Sequence, residues 1–263
     1  MDDNTDFINA IAEIWFVNDL YTLSDLEKRL FTPYELDQVD NEHAINDYDP
    51  DVHFFSDLNV AHGSSEYYCD RKFNTLISSS DAGLKNALSF FNINIRSIPK
   101  NIDKLSSYLD LLNFDFTFVG VTETWFSEST IGVNSLNGYN HEAFYRTNRR
   151  GGGVSLFIKQ DVNFTKRSDL NIFDPDMTES VFVEIDKTAF NLDNNVVVGV
   201  IYRMPDKDVN IFNERLNHLF DLIKREKKIC YLLGDFNINL LHYETHVPSG
   251  DFVDICFSNG FVT

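Results

Sequence analysis

Hydrophobic positions beyond residue 87 fall into short runs that alternate with stretches of helical periodicity. Runs rich in β-branched and aromatic residues, which predict strands, occupy residues 88–95, 114–122, 153–158, 180–185, 196–202 and 229–233. Apolar residues at helical spacing predict two helices: one through Ile102, Leu105, Leu109 and Leu112, and one through Phe212, Leu216, Leu219, Phe220 and Ile223. Few of the strands alternate apolar and polar residues, so both faces of the sheets are predicted to be covered. The pattern indicates an α/β sandwich of packed sheets with helices outside.

The first 86 residues follow a different pattern. Five apolar residues near the N-terminus fall at helical spacing, namely Phe7, Ile8, Ile11, Ile14 and Trp15, and residues 24–27 have the form of a capping box. Asp, Asn and His dominate residues 37–57, which predicts an acidic linker, with a solvated spacer as its simplest interpretation. We therefore divide the chain into an acidic, partly helical N-terminal extension with linker, residues 1–86, and an α/β domain, residues 87–263.

Charge and cysteine content narrow the function classes. The net charge is −19, and most of the excess acid lies before residue 88. An acidic chain binds nucleic acid less readily, because Lys and Arg supply most non-specific affinity for phosphates. A local basic patch or a bound cation can still bind phosphates within an acidic chain. The three cysteines form no CxxC pair, so neither a disulfide framework nor a zinc site is predicted. With no long apolar run and an acidic start, we expect an intracellular chain without a membrane segment.

Polar side chains follow three of the predicted strands. Asn92 and Asn94 end the first, Glu123 follows the second, and Asp235 and Asn237 end the last. Period-two spacing places the two asparagines on one face of their strand, and Asp235 on the same face as Asn237. Taken alone, each residue fits a turn or a cap, but oxygen ligands gathered at strand ends are what a hard cation such as Mg²⁺ requires. The set therefore predicts a cation-dependent site.

Six stretches, taken in order, resemble one protein family: FFNINIRSIPKN, GVTETW, RRGGGVSLFI, SVFVEI, VVVGVIYRMP and YLLGDFNIN. They resemble the endonuclease domain of LINE-type non-LTR retrotransposons, a branch of the endonuclease/exonuclease/phosphatase superfamily, from about Leu88 to the C-terminus. The resemblance implies a four-layer α/β sandwich and a Mg²⁺- or Mn²⁺-dependent phosphodiester hydrolase that nicks DNA to prime reverse transcription. It further implies DNA as the partner, no small-molecule cofactor, action in the nucleus and an origin beside an RNA-directed DNA polymerase.

The resemblance also implies roles for individual residues. Glu123 would be the metal-binding glutamate, and Asn94 would be the active-site asparagine that orients the catalytic aspartate, with Asn92 as the alternative. Asp235 would orient or deprotonate the attacking water, and Asn237 would hold the scissile phosphate. The physical reading agrees, because hydrolysis of an anionic diester needs a cation and a group that accepts a proton from water.

Two further groups are expected to meet phosphates. Tyr202 matches the tyrosine that contacts the phosphate in the family. Arg146, Arg149 and Arg150 form a basic cluster just before three glycines, and could contact DNA while the glycines let the backbone approach closely. A solvated hairpin with incidental arginines fits the same residues.

The chain departs from the family pattern in two places. Apurinic endonucleases have an acidic metal ligand two residues after the first asparagine, where this chain has Arg96 if Asn94 is the match, or Asn94 itself if Asn92 is. The family also continues to an Asp-His pair, which this sequence does not contain; His242 and His246 fall in a predicted loop or short helix. We therefore expect a domain truncated and incomplete at its C-terminus, with activity absent or impaired.

Two other functions stay open at this point. A non-catalytic interaction module, or a genomic remnant without function, explains the same departures. A superfamily phosphatase acting on a small phosphorylated substrate is the third possibility, and the ETW and RRGGGV stretches favour the retrotransposon branch over it.

Overall fold

The computed structural model describes residues 16–18, 73, 75, 77–78, 88–147, 150–172, 174 and 176–262, with backbone alone for residues 16–18, 241 and 262. The helix predicted near the N-terminus, the capping box at residues 24–27 and the acidic linker at residues 37–57 lie outside these ranges.

In the described part of the chain, ten strands and three α-helices follow one another. The strands are β1 (Phe16–Asn18), β2 (Phe90–Asn94), β3 (Phe118–Thr122), β4 (Tyr139–Phe144), β5 (Val154–Lys159), β6 (Phe164–Lys166), β7 (Thr178–Ile185), β8 (Val196–Arg203), β9 (Ile229–Asp235) and β10 (Phe261–Val262). The helices are α1 (Ile98–Leu112), α2 (Val209–Glu226) and α3 (Val247–Ser258), and short 3₁₀ turns occupy Ser168–Leu170, Lys187–Ala189 and Leu240–His242.

The strands form two sheets, each built around one parallel pair. The smaller sheet has the order β2-β3-β5-β4, and the larger has the order β10-β1-β9-β8-β7-β6. Strands β2 and β3 run parallel with α1 between them in sequence, as do β8 and β9 with α2 between them, and the other pairs are antiparallel. A parallel pair joined by a helical crossover has both carboxyl ends at the same edge. Each sheet therefore presents two carboxyl strand ends together.

Hydrophobic packing arranges these elements in four layers. The facing sides of the two sheets meet through residues such as Phe118 and Leu156 from the smaller sheet and Val198 and Leu233 from the larger one. Helix α1 packs on the outer face of the smaller sheet, while α2 and α3 pack on the outer face of the larger sheet. The α/β sandwich predicted from the sequence is confirmed, and its buried faces on both sides explain why the strands do not alternate.

The predicted helices form where their apolar stripes can be buried. In α2, all five residues of the predicted stripe are buried against the larger sheet: Phe212, Leu216, Leu219, Phe220 and Ile223. The Asp208 side chain caps this helix by accepting a hydrogen bond from the Asn210 amide at 2.8 Å, and Lys227 ends it in a left-handed conformation. In α1, Pro99 lies in the first turn, where its missing N–H costs no hydrogen bond.

Several elements differ from the prediction. Strand β3 begins at Phe118 rather than at residue 114, and β4, β6, β10 and α3 were not predicted. The backbone of residues 16–18, assigned to the N-terminal extension, pairs with β9 on one side and β10 on the other. Among the described residues, no helix combines the length and apolar composition that a membrane span requires.

An ionic cluster lies at the end of the larger sheet opposite the carboxyl end of β9. Arg167 donates hydrogen bonds to Asp169 at 2.7 Å, to Glu184 at 2.7 Å and to Glu226 at 2.5 Å, and Lys228 donates to Glu184 at 2.8 Å. Bonds from Arg167 lower the pKa of Asp169 and of Glu226. Burial would raise the pKa of Glu184, but the bonds from Lys228 and Arg167 outweigh it and lower that pKa as well. The cluster ties β7, α2 and the start of β9 together.

Replacing Arg167 by Gln is expected to lower the free energy of unfolding by about 2 kcal/mol at neutral pH, because the partly buried carboxylates of Glu184 and Glu226 lose their counter-charge. Since folding lowers the pKa of these acids, their stabilisation is present above the unfolded pKa and is lost as the pH falls through the folded pKa. Urea unfolding should therefore give a difference between wild type and variant that shrinks as the pH is lowered below about 4. Lys224→Gln removes an exposed positive charge from α2 as the control. A difference that does not depend on pH would contradict this role.

Candidate active site

Four side chains from the two sheets meet at one edge of the sandwich. Asn94 is the last residue of β2 and Glu123 directly follows β3, so the smaller sheet supplies both. Tyr202 lies near the end of β8 and Asp235 is the last residue of β9, so the larger sheet supplies the other two. The two pairs of carboxyl strand ends therefore face each other across the packed sheets.

The Asn94 carboxamide connects the two acids of the site. Its Nδ2 atom donates to Glu123 Oε1 at 2.9 Å and to Asp235 Oδ2 at 2.8 Å. Asn92 lies deeper between the sheets, where it is buried and donates to the Gly234 carbonyl oxygen at 3.2 Å. Of the two asparagines that the sequence left open, Asn94 is the one that contacts both carboxylates.

Tyr202 faces Glu123 from the opposite sheet. Its hydroxyl group donates to Glu123 Oε1 at 3.4 Å. Burial raises the pKa of Tyr202 well above its ordinary value, and the negative charges of Glu123 and Asp235 raise it further. The phenol therefore stays protonated and acts as a hydrogen-bond donor at neutral pH.

Asp235 combines a partly buried carboxylate with several donors. Burial raises its pKa above the ordinary value for an aspartate, and the hydrogen bond from Asn94 offsets only part of this effect. Its Oδ1 atom accepts a hydrogen bond from the Asn237 amide at 3.1 Å. A carboxylate with a raised pKa is a stronger base than an exposed one, which suits it to accept a proton from water.

Asn237 lies two residues after Asp235, and its side chain is exposed. One N–H of its carboxamide donates to the Arg203 carbonyl oxygen at 2.7 Å. Its position two residues after Asp235 therefore places an exposed carboxamide next to the carboxyl end of β9.

Backbone in the left-handed region is concentrated around the site. Five non-glycine residues there have positive φ: Arg96 (46°), Ser97 (100°), Glu123 (52°), Trp125 (52°) and Asn237 (49°). Each such residue costs on the order of 1 kcal/mol and persists only where surrounding contacts hold it. Strained backbone of this kind is found most often at functional sites.

A glycine loop fixes the segment that follows Glu123. The amides of Thr124 and Trp125 donate to the carbonyl oxygens of Gly153 and Gly152 at 3.2 and 2.9 Å. Both glycines have positive φ, 87° and 68°, and a Cβ atom on Gly153 would overlap the Thr124 hydroxyl group. Only glycine fits this close approach, so the loop holds Glu123 in place from behind.

The predicted arginine cluster is divided by the structure. Arg146 is largely buried and forms an ion pair with Glu179, which is fully buried and also accepts a hydrogen bond from the Gly153 amide at 2.6 Å. Arg150 is exposed, and its guanidinium carbon lies 5.2 Å from the centre of the Trp125 ring. Arg149 lies outside the described residues.

Two charged residues near the site were missed by the sequence reasoning. Glu179 lies opposite Tyr202 on the neighbouring strand β7, and Arg203 is the buried last residue of β8. Both interrupt hydrophobic runs, TESVFVEI and VVVGVIYR, and a charged residue inside a buried strand is a usable signal because it must find a partner.

His242 and His246 lie in the segment between β9 and α3. His242 ends a 3₁₀ turn, and His246 directly precedes α3, where its Nδ1 atom lies 2.8 Å from the Ser249 hydroxyl oxygen.

The donor set suits a hard cation. Glu123 and Asp235 offer carboxylate oxygens that meet at one carboxamide, and Mg²⁺ is commonly held by one or two carboxylates, with water and phosphate completing its shell. Within the described ranges, His, Cys, Asp and Glu side chains form no group of three or more that could hold a metal by themselves. The residues therefore fit a cation that shares its ligands with a substrate, rather than an enclosed structural metal.

The fold and the site together define a two-sheet α/β sandwich protein with an acidic site where the parallel strands end. Residues 86–260 match the Endonuclease/Exonuclease/phosphatase family, and the chain belongs to that family.

Similar solved structures include two AP endonucleases and one endonuclease/exonuclease/phosphatase family protein. AP endonuclease LMAP from Leishmania major is 12% identical, over 66% of this chain and 66% of that chain, with a TM-score of 0.50. AP endonuclease from Archaeoglobus fulgidus is 15% identical, over 67% and 72%, with a TM-score of 0.45. An endonuclease/exonuclease/phosphatase family protein from Bacteroides thetaiotaomicron is 15% identical, over 64% and 68%, with a TM-score of 0.47. A search of curated proteins finds none that matches this sequence.

Proposed function

We propose that this chain is a retrotransposon-type endonuclease domain, a Mg²⁺- or Mn²⁺-dependent phosphodiester hydrolase that nicks DNA for target-primed reverse transcription. The observation that carries the proposal is the contact of Asn94 Nδ2 with both Glu123 and Asp235, at 2.9 and 2.8 Å. It joins a candidate cation ligand to a candidate base. Family membership supports phosphate-ester hydrolysis, and the six sequence stretches support the retrotransposon branch.

Each side chain has a separate task in this proposal. Glu123 holds the cation, which when bound offsets the charge that develops on the phosphate. Asp235 accepts the proton of the attacking water, and Asn94 keeps that carboxylate in place. Tyr202 donates a hydrogen bond from its hydroxyl group to a phosphate oxygen, and Asn237 donates one from the remaining N–H of its carboxamide to the same phosphate group.

Binding of a DNA strand relies on local positive charge in an acidic chain. Arg150 is exposed beside Trp125, two residues from Glu123, and Arg96 is exposed two residues from Asn94. These guanidinium groups can reach phosphates on either side of the scissile bond. Arg149 belongs to the same proposed contact, whereas the pairing of Arg146 with Glu179 makes it a local support for the loop.

A plasmid-nicking assay tests the proposal directly, because one nick converts a supercoiled molecule into an open circle. We expect slow nicking in Mg²⁺ or Mn²⁺ that stops when EDTA is added. The rate is expected to be low because the sequence contains no Ser-Asp-His motif. Glu128→Gln, an exposed change in the same loop, should nick as the wild type does.

The same preparation separates the alternatives. Hydrolysis of p-nitrophenyl phosphate without nicking would contradict the proposal and favour a phosphatase, a function equally compatible with the family. Binding of duplex DNA without hydrolysis of either substrate would favour a non-catalytic interaction module.

A further inference from the structure

Arg203 is buried behind the segment of residues 235–237, here called the β9 loop. Its side chain makes three hydrogen bonds: Nε to the Phe236 carbonyl oxygen at 2.6 Å, Nη1 to the Lys207 carbonyl oxygen at 2.7 Å, and Nη2 to the Asn237 carbonyl oxygen. All three acceptors are backbone carbonyls. Only 3% of the residue is exposed, so water cannot replace these bonds.

Arg203 and Asn237 are bonded in both directions. The Arg203 guanidinium donates to the Asn237 carbonyl oxygen, and the Asn237 carboxamide donates to the Arg203 carbonyl oxygen at 2.7 Å. Asn237 is in the left-handed region with φ of 49°, and its amide donates to Asp235 Oδ1 at 3.1 Å. These bonds fix the orientation of the carboxamide and engage one of its two N–H groups. The second N–H remains for a ligand.

A buried guanidinium bonded only to carbonyl groups is costly, because no carboxylate compensates its charge directly. Burial lowers the pKa of Arg203 from its ordinary value, while the negative charges of Asp235 and Asp206 oppose this effect. A helix cap or a neutral donor would hold a loop at lower cost. A fixed positive charge here has the additional effect of attracting an anion to the β9 loop.

We propose that Arg203 is a positioning residue for the phosphate ester: it fastens the β9 loop to β8 so that Asp235 and the free N–H of Asn237 face the same phosphate. This inference rests on the proposed function of the site. Arg203 itself does not contact the substrate in this proposal; it acts through the residues of the β9 loop.

Two substitutions test the role in the full chain. Arg203→Gln removes the charge and most of the donors, and should lower kcat for nicking on the order of 30-fold with little change in KM. Arg203→Lys keeps the charge and should retain several-fold more activity than Arg203→Gln. The matched control is Arg225→Gln, an exposed change in α2 that removes the same charge and should leave the rate unaltered.

A double-variant cycle distinguishes positioning from a general loss of stability. In an Asn237→Ala background, Arg203→Gln should cause a smaller further loss, because one of the two groups through which it acts is already gone. If the two losses in activity simply add, or if Arg203→Lys is as inactive as Arg203→Gln while both remain folded, the inference is overturned.

Hydrogen exchange gives a readout that does not depend on catalysis. The Asn237 amide is hydrogen-bonded in the wild type, so Arg203→Gln should accelerate its exchange while amides in the middle of β8 keep their protection. Unchanged exchange at Asn237 would overturn the inference even if the wild type nicks DNA. A wild type that hydrolyses p-nitrophenyl phosphate without nicking DNA would instead contradict the proposed function, and the exchange data would still decide the role of Arg203.

Discussion

Replacing Glu123 by Gln is expected to reduce Mg²⁺-dependent nicking on the order of 10³-fold while the fold is retained. The substitution keeps an oxygen that can accept from Asn94 and Tyr202, which bond Glu123 Oε1 at 2.9 and 3.4 Å, but removes the charge that a cation requires. Initial rates on supercoiled plasmid measure the loss. Titration with Mn²⁺, followed by electron paramagnetic resonance, should show affinity weakened at least about 10-fold, whatever the turnover of the wild type.

The matched control for this change is Glu128→Gln, which alters an exposed glutamate five residues later in the chain. It should bind Mn²⁺ and nick DNA as the wild type does. If Glu123→Gln bound Mn²⁺ with unchanged affinity, Glu123 would not be the metal ligand, and the hypothesis of a cation site at the strand ends would be wrong.

Replacing Asp235 by Asn should lower kcat on the order of 10³-fold, because an amide cannot accept the proton of the attacking water. The pH dependence gives a second readout. Only the ionised carboxylate is a base, so the wild-type rate should rise with pH through the pKa of Asp235. Burial raises that pKa, whereas a bound cation lowers it, so the balance of the two effects sets the pH at which the rise lies.

The residual rate of Asp235→Asn should lack this rise at low pH. Asp254→Asn, an exposed change in α3, serves as the control and should keep both the rate and the pH profile. A variant that retained the wild-type rise would show that another group accepts the proton.

The sequence was sufficient to predict the helices that bury one face and the strands that are buried on both faces. The stripe from Phe212 to Ile223 predicted α2 because only one face of that helix is buried. Strand β4 was missed because its sequence, YNHEAF, is polar and half-exposed at the edge of its sheet. Helix α3 was missed because VPSGDFVDICFS begins with turn-forming residues and lacks a regular apolar stripe.

The strand-end residues were predictable, but their partners were not. Period-two spacing put Asn92 and Asn94 on the same face and could not tell them apart. Their positions along β9 distinguish them, because Asn92 contacts the Gly234 backbone and Asn94 contacts the Asp235 carboxylate. The sequence placed Arg146 in a surface cluster, because its partner Glu179 lies 33 residues away in strand β7 and leaves no local signal. Pairings over such distances leave no local pattern, so they become visible only when the sheets have packed.

The division of the site between two sheets has a consequence for how the domain acquires function. Asn94 and Glu123 come from one sheet and Tyr202 and Asp235 from the other, so neither sheet alone carries the whole constellation. A ligand that binds both halves stabilises the docked state by mass action. A cation or phosphate bound as proposed would therefore favour the docked arrangement of the two sheets.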